Sequence, residues 1–152
     1  MKDVQRPAMR ISGPVLDASN AAELARFYER MLGWTITELE GPRPGHPDDD
    51  GWARLRSPDG TLKIEIQWEE HYVPPTWPPV PGEPQMMMHL DVLVGDLDAG
   101  VAWALECGAK IAPAQPQKPG DHVIMLDPAG HPFCMCRYAR DESDDASPSQ
   151  PA

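Results

Sequence analysis

The chain has 152 residues, which is enough for one compact domain or for two small halves that share a core. Hydrophobic residues make up 41% of the sequence and five residues are tryptophan, so there is enough apolar surface to bury, and the composition excludes wholesale disorder. Aspartate and glutamate outnumber lysine and arginine by 24 to 13, and the resulting net charge of −11 repels phosphate backbones, so we predict that nucleic acid is not a partner.

The first predicted elements are a strand and a helix that follow a short N-terminal arm, residues 1–10. Residues 11–16 form an apolar run that is typical of a strand. Asn20 supplies helix-capping chemistry, apolar residues recur at three-to-four spacing over residues 24–32, and Gly33 provides a C-terminal stop. This pattern predicts a helix with one buried stripe.

Three more strands complete the first half, which we predict to span residues 11–70. A strand over residues 34–37 precedes an exposed loop, residues 41–51, that is rich in glycine, proline and aspartate. A strand over residues 52–56 leads through a turn into a strand over residues 61–68, whose apolar and polar side chains alternate. The polar face of that last strand carries Lys63, Glu65 and Gln67.

The order of elements then begins again after a proline-rich segment, residues 71–86. Because proline can neither pair in a central strand nor continue a helix, we predict that this segment is a linker. A second half over residues 87–139 repeats the pattern, with a strand at residues 88–94, a helix after Asp96, a stop at Gly108 and further strands. The repetition predicts two copies of one structural unit.

Three stretches resemble a known family: LARFYERMLGW, YVPPTWPPVPGEPQMMMHLDVLVGDLDAGVAWALECGA and MLDPAGHPFCMCR. They resemble the vicinal oxygen chelate superfamily, which includes glyoxalase, bleomycin resistance protein and extradiol dioxygenase, and in particular its uncharacterised glyoxalase-like branch, over residues 11–138. The resemblance implies an α+β fold in which two βαβββ modules form a cupped mixed sheet. It does not define an activity, because the fold hosts isomerases, dioxygenases, epimerases, thiol transferases and drug-sequestering proteins.

The resemblance also implies where a metal would bind. The family places histidine and glutamate at four positions, on the first and last strands of each module. On this chain the first-strand positions are Gly13, which has no side chain to donate, and His89; the last-strand positions are Gln67, with Glu65 as an alternative, and Cys134. A shell that lacks one donor holds metal loosely, so we expect no tightly bound metal, with Gln67 and His89 as the best ligands if a divalent ion is present.

The candidate ligand-binding residues are Gln67, His89, Glu65, Trp77 and Cys134. His89 alternates with Met88 and Leu90, which predicts that its side chain faces the cup and away from packed apolar neighbours. There it would serve as a ligand, an acid/base or a hydrogen-bond donor. The alternative is a strand histidine bonded to a neighbouring residue.

The other four candidates each have a plainer alternative. The neutral amide of Gln67 can enter a partly buried cup without the desolvation cost of a charge, whereas Glu65 can instead form an ordinary ion pair with Lys63. Trp77 would form an aromatic wall at the mouth of the cup, or would pack the linker across a sheet edge. Cys134 is a pocket residue that is either a reactive thiol or an inert, volume-filling one.

Two further expectations concern residues outside the site. The remaining histidines lie in loops, near turns or at strand ends, and we predict that all of them are surface residues: His46, His71, His122 and His131. The run of three methionines at residues 86–88 is predicted to fill core volume.

The sequence favours a glyoxalase-like small-molecule binding protein, of the drug-sequestering or resistance type, with a neutral or cationic ligand in the cup between the modules. The alternative is a metal-dependent lyase, isomerase or dioxygenase, so whether the chain is an enzyme stays open. We expect a homodimer, with the cup formed within one chain or across two. The sequence has no apolar run of membrane length and no signal-peptide core, so we predict that the membrane is not a partner. Its three cysteines fit a reducing compartment, and we predict that the chain is cytoplasmic. The acidic residues 140–152 are predicted to form a flexible tail.

Overall fold

The computed structural model describes residues 6–116 and 120–138. The first half contains β1 (Val15–Ala18), α1 (Ala21–Leu32), β2 (Thr35–Glu40), β3 (Trp52–Arg56) and β4 (Lys63–Trp68). The second half contains β5 (Asp91–Val94), α2 (Leu97–Cys107), β6 (Lys110–Ile111), β7 (His122–Leu126) and β8 (Pro132–Arg137). The predicted flexible tail and the first residues of the predicted arm lie outside the described residues.

The two halves have the same sheet topology. The first sheet has the strand order β1-β4-β3-β2 and the second has the order β5-β8-β7-β6. In each sheet the first strand runs parallel to the last, and the other neighbours are antiparallel. This repeated βαβββ arrangement confirms the predicted α+β fold of two related modules.

Helix boundaries follow the predicted caps. The Asn20 side chain accepts a hydrogen bond of 3.0 Å from the N–H of Glu23, which satisfies one of the unpaired donors of the first turn of α1. Gly33 ends α1 with φ of 65°, a left-handed conformation that glycine adopts without a Cβ clash. Asp96 caps α2 in the same way through the N–H of Ala99, at 3.0 Å.

One continuous core joins the halves, because α1 packs on its own sheet and also contacts α2 and the second half. Phe27 of α1 lies against Phe133 of β8, with ring centroids 6.4 Å apart. Tyr28 donates a buried hydrogen bond of 2.8 Å to Oδ2 of Asp127. The indole N–H of Trp103 on α2 donates to the main-chain carbonyl oxygen at the end of α1, at 3.1 Å. The halves are therefore packed together along their helical side.

Two predicted strands begin three or four residues later than expected, at Val15 instead of residue 11 and at Asp91 instead of residue 88. For the second of these the reason is local: Cys134 donates its N–H to the carbonyl of Leu90, but Pro132, two residues earlier, has no N–H to extend the parallel ladder towards Met88. Met88 is consequently 81% exposed, so the predictions that it packs and that the methionine run fills the core are wrong.

No helix among residues 6–116 and 120–138 has the length and apolar character needed to cross a membrane.

Candidate functional site

Each sheet has one face covered by helix and one face that points away from the helices, which we call its open face. On the first sheet α1 covers the buried residues of β3 and β4, and the alternate residues point the other way. Cross-strand register places these residues on the first open face: Glu38, Glu40, Trp52, Arg54, Glu65 and Gln67. The second open face carries Asp91, Leu93, His122, Ile124, Cys134 and Cys136.

The register also fixes which residues of the two halves correspond. Glu65 pairs with Val15, five residues before the first helix cap, and Cys134 pairs with Asp91, five residues before the second cap. Glu65 and Cys134 therefore correspond, and the expectation that Gln67 corresponds to Cys134 is wrong.

The correspondence is set by how the last strand pairs with the first, which the sequence does not show. The turn that precedes the last strand also differs in length between the halves. In the first half Ser57 donates its N–H to the carbonyl of Leu62, whereas in the second half Asp127 donates to the carbonyl of His131, which is one residue fewer. The last strands are therefore offset by one residue relative to their turns, and the counterpart of Gln67 is Cys136, two residues beyond Cys134.

Glu65 lies in an ion-pair network at the centre of the first open face. Its carboxylate is 2.9 Å from the Lys63 ammonium and 2.8 Å from the Arg54 guanidinium, and Arg54 also pairs with Glu38. The hydrogen bond from Lys63, with that from Arg54, lowers the pKa of Glu65 against the opposing effect of burial. Glu65 is therefore a carboxylate that two cations already neutralise.

Gln67 lies at the end of the same face and borders a cleft of about 310 Å³. Its side-chain amide donates a hydrogen bond of 2.7 Å to Oδ1 of Asp17 on β1. Two indole rings also line the cleft, from Trp52 and Trp68, together with the carboxylate of Glu40. A cleft of this size that combines aromatic residues with several polar and charged groups can hold a small molecule.

The loop over residues 41–51 forms the far wall of this cleft through one ion pair. Arg43 donates to both oxygens of Asp50, with Nε to Oδ2 at 2.9 Å and Nη2 to Oδ1 at 2.9 Å, and its main-chain N–H donates to Oδ2 at 2.8 Å. The Asp50 side chain is only 2% exposed. Hydrogen bonds from the Arg43 side chain lower the pKa of Asp50 to about 2, against the effect of burial. The predicted exposed loop therefore has a fixed anchor that composition alone does not indicate.

His89 lies beside Asp91 and Cys134 at the start of the second open face. His89 Nε2 is 3.3 Å from Asp91 Oδ1, and one potential donor atom from each of the three residues lies within 4.8 Å of the other two. Burial, followed by the neighbouring Cys136 and Asp91, raises the pKa of the Cys134 thiol to about 11. Within residues 6–116 and 120–138 this is the one group of three such side chains whose donor atoms come together.

The four positions that the resemblance assigns to metal ligands do not form a matching shell. A Cβ at Gly13 would lie 2.7 Å from the carbonyl oxygen of Lys63, so no side chain fits there, and Glu65 is held by two cations. The donors that do come together all belong to the second half, and Asp91 is one of them. The residues present therefore do not fit a metal held between the two modules.

Trp77 lies apart from both clusters. Its indole N–H donates a hydrogen bond of 3.1 Å to the carbonyl of Ala114, so the linker packs across the second half. The linker is held a second time by Tyr72, whose hydroxyl donates to the carbonyl of Ala129 at 2.7 Å and lies 3.2 Å from His131 Nε2. This is the plainer of the two roles considered for Trp77.

The prediction that His131 is a surface residue is wrong. Its side chain is 19% exposed, and Nδ1 lies 2.8 Å from Oδ2 of the buried Asp127 carboxylate. Sequence reasoning misplaced it because Tyr72 of the linker, far along the chain, contacts its ring, although Asp127 is only four residues away.

Three of the five predicted site residues lie in two places, while Glu65 is held in its ion-pair network and Trp77 packs the linker. Gln67 borders the cleft of the first half, and His89 and Cys134 lie together in the second half. Two contributing residues were missed, Asp50 and Asp91. Asp91 carried a signal, since it alternates with His89 along a strand, whereas nothing local marked Asp50.

A family model described as a glyoxalase-like domain matches residues 14–136. No curated protein matches the sequence. Among solved structures, a glyoxalase family protein from Enterococcus faecalis is 23% identical with a TM-score of 0.59, over 84% of this chain and 96% of that one. A glyoxylase/bleomycin resistance protein/dioxygenase domain from Frankia sp. EAN1pec is 19% identical with a TM-score of 0.58, over 88% and 95%.

A third similar structure is a variant of the fosfomycin resistance protein FosX from Listeria monocytogenes, complexed with Mn(II) and 1S,2S-dihydroxypropylphosphonic acid. It is 12% identical with a TM-score of 0.63, over 89% of this chain and 97% of that one. At these identities the likeness to the three structures shows a shared fold and no more.

Proposed function

The chain belongs to the glyoxalase-like domain family of the vicinal oxygen chelate superfamily, and from that premise we propose that it binds a small neutral or cationic molecule in the cup of its open faces. In this proposal the protein sequesters its ligand, as a drug-binding or resistance protein does. The observation that carries the proposal is the cleft of about 310 Å³ beside Gln67.

The chemistry of the cleft favours a ligand with an aromatic or apolar body. Trp52 and Trp68 present indole rings to it, and each ring already attracts a guanidinium of the protein: Arg54 lies 4.8 Å from the Trp52 centroid and Arg43 lies 5.8 Å from that of Trp68. Indole rings attract cations through the negative charge of the ring face. The Gln67 amide can both donate and accept a hydrogen bond, which would orient a polar group of the ligand.

Charge in the cleft argues against an anionic ligand. The positive charge of Arg43 is balanced by Asp50, and that of Arg54 is balanced by Glu38 and Glu65. Glu40, by contrast, makes no ion pair within the part of the chain that the structure describes. The cleft therefore has excess negative charge, in addition to the net charge of −11 on the whole chain.

The test uses three probes of similar size and different charge: benzylamine, benzyl alcohol and benzoate. Binding is measured by calorimetry, and we expect the amine and the alcohol to bind at least five-fold more tightly than benzoate. Gln67→Leu should weaken amine binding without lowering the melting temperature, and Trp52→Phe should weaken it more than Trp103→Phe, a change at an indole outside the cleft. Tightest binding by benzoate, or equal binding by the Gln67→Leu variant, would refute the proposal.

We further propose that the protein is a cytoplasmic homodimer in which a second copy covers the open faces. A second cleft, of about 430 Å³, lies where the two halves meet and is lined on both sides by exposed apolar side chains such as Leu62 and Leu93. Burying these residues would supply the driving force for association. Light scattering over a hundred-fold range of concentration tests this, and a monomer mass throughout would contradict it.

The three free thiols are consistent with the reducing compartment that a cytoplasmic location implies.

A metal-dependent lyase, isomerase or dioxygenase is the second candidate function. The observation that favours it is the grouping of His89, Asp91 and Cys134 on the second open face. Elemental analysis of the purified, untagged protein separates the two candidates. A stoichiometric metal retained through purification would place the enzyme first.

A further inference from the structure

We infer that the cleft beside Gln67 selects a dication, a slender molecule with an apolar body and an ammonium group at each end, held between the carboxylates of Asp17 and Glu40. The inference rests on the proposed small-molecule function and adds to it the number and the spacing of the charges on the ligand.

One row of four side chains crosses the first open face at its end. Glu40 of β2 is paired with Trp52 of β3, and Trp52 is paired with Gln67 of β4. Gln67 is in turn paired with Asp17 of β1, and its amide donates a hydrogen bond of 2.7 Å to Oδ1 of Asp17. Because directly paired residues point to the same face of a sheet, the four side chains lie side by side. We call them the end row, which has a carboxylate at each end and an indole and an amide between.

None of the four residues of the end row is a cation. Asp17 and Glu40 are both exposed, and neither takes part in an ion pair in the part of the chain that the structure describes. The next row along the same strands is different, because Arg54 lies there between the carboxylates of Glu38 and Glu65 and pairs with both. Exposed carboxylates are ordinary on an acidic chain, but here two of them face each other across a cleft. We therefore expect the ligand to supply the positive charges that the end row lacks.

Strand spacing sets the distance between the two carboxylates. The four strands are neighbours about 4.8 Å apart, so the Cα atoms of Asp17 and Glu40 are about 14 Å apart. With ammonium–carboxylate contacts of about 2.8 Å at each end, the two ammonium nitrogens would be about 8–14 Å apart, depending on the direction of the side chains. An extended chain spans about 1.2 Å per bond, so the nine bonds of 1,8-diaminooctane span about 11 Å. A diamine of this length fits between the two carboxylates.

The middle of the end row suits an apolar body. Trp52 presents its indole to the cleft of about 310 Å³, and an aromatic ring gives a large apolar surface on which methylene groups pack. The Gln67 amide holds the Asp17 carboxylate with one N–H, and its carbonyl oxygen remains able to accept a hydrogen bond from the ligand. The end row thus offers a contact to each part of a diamine.

The test measures binding to the full, untagged chain by calorimetry at pH 7, where alkylamines are protonated because their pKa resembles the value of about 10.4 for lysine. The probes are 1,8-diaminooctane, octylamine, which lacks the second charge, and 1,3-diaminopropane, whose nitrogens are only about 5 Å apart. We expect 1,8-diaminooctane to bind at least ten-fold more tightly than either of the others.

The outcomes separate this inference from the function on which it rests. If octylamine or 1,3-diaminopropane bound within three-fold of 1,8-diaminooctane, the two-charge inference would be overturned while the proposed binding of a cation remained. If none of these amines bound, and benzylamine did not bind either, both would be overturned.

Substitutions identify the two charges, with the melting temperature as a check that each variant folds. Asp17→Asn and Glu40→Gln should each reduce the preference for 1,8-diaminooctane over octylamine to less than three-fold. The matched control is Glu38→Gln, which removes the same charge from the same strand and face but from the next row, and it should keep a preference of at least ten-fold. Because the measured quantity is a ratio of two affinities for one variant, a general loss of negative charge does not explain a change in it. Loss of the preference in Glu38→Gln, or its survival in Asp17→Asn or Glu40→Gln, would overturn the inference.

Discussion

The hydrogen bond between Tyr28 and Asp127 is the buried polar contact that joins the two halves, and Tyr28→Phe removes only its hydroxyl. Tyr28 is 1% exposed and Asp127 is 3% exposed, so water cannot replace the lost donor without rearrangement. Burial, with the negative charge of Asp127, raises the pKa of Tyr28, so the hydroxyl keeps its proton and acts as the donor. The variant therefore leaves a buried carboxylate with one donor fewer.

The expected loss of stability follows from what remains around that carboxylate. Asp127 still accepts from the N–H groups of Ala129 and His131, at 2.9 and 3.0 Å, and lies 2.8 Å from His131 Nδ1. Because a hydrogen bond to a charged group contributes about 1.5–3 kcal/mol and most partners survive, we expect Tyr28→Phe to cost about 2 kcal/mol. At about 2–4 °C per kcal/mol for a chain of this size, the melting temperature should fall by about 4–8 °C.

The matched control is Tyr72→Phe, which removes a partly buried hydroxyl that donates to a neutral main-chain carbonyl, Ala129 O, at 2.7 Å. Its expected cost is about 1 kcal/mol. Both variants are compared with the parent by urea unfolding at one protein concentration, because dimer formation would otherwise contribute to the apparent stability. If Tyr28→Phe cost less than about 0.5 kcal/mol, or less than Tyr72→Phe, the contact would not stabilise the junction of the halves and the reasoning would be refuted.

Three other perturbations test separate parts of the structure. Gly13→Ala should destabilise the fold by more than Gly33→Ala in urea unfolding, because a Cβ at Gly13 would lie 2.7 Å from a main-chain oxygen. A Cβ at Gly33 has nothing within 4 Å, so there only the left-handed backbone costs stability, about 1–2 kcal/mol. Equal losses in the two variants would show that β1 relaxes freely. The Asp50 carboxyl has a pKa of about 2 in the folded chain against an ordinary 3.8, so the stability it contributes is complete above pH 3.8 and is lost as the pH falls towards 2. Asp50→Asn should abolish this part of the pH dependence of the free energy of unfolding. An unchanged pH dependence in the variant would contradict the assignment. Calorimetry with benzylamine should show that Cys134→Ser keeps small-molecule binding and Gln67→Leu loses it, and the opposite pattern would show that the thiol holds the ligand.

The fold was predictable because its determinants are local and occur twice. Asn20 and Asp96 each cap a helix from one residue, and a glycine ends each helix, after 12 residues in α1 and 11 in α2. Period-two alternation marked the strands that follow. Such signals depend on a few neighbouring residues, so they can be recognised without knowing the three-dimensional structure, and their repetition indicates two modules.

The sites were predictable only in part, because their partners are distant in sequence or depend on register. Arg43 and Asp50 form an ion pair across a loop whose composition indicates exposure, and the pairing depends on a backbone path that composition does not define. His131 was misplaced for a similar reason, since Tyr72, whose hydroxyl lies 3.2 Å from His131 Nε2, comes from the linker, although its other partner, Asp127, is only four residues away. A polar residue that follows a turn is exposed unless another part of the chain covers it, and sequence alone does not show that covering.

The one-residue difference between the two turns leaves the halves with the same backbone plan, so their different chemistry comes from their side chains. A strand shifted by one residue would turn every side chain to the opposite face, so the extra residue must be absorbed in the turn that ends at Leu62. With register preserved, Glu65 and Cys134 occupy the same backbone position. Their surroundings decide what each can bind: two cations neutralise Glu65, whereas Cys134 lies beside a carboxylate and an imidazole. Two cations balance the Glu65 carboxylate, whereas the Asp91 carboxylate beside Cys134 lies 3.3 Å from the His89 imidazole. This asymmetry is why the proposed small-molecule site lies in the first half, whereas the group of His89, Asp91 and Cys134 favours the second candidate function.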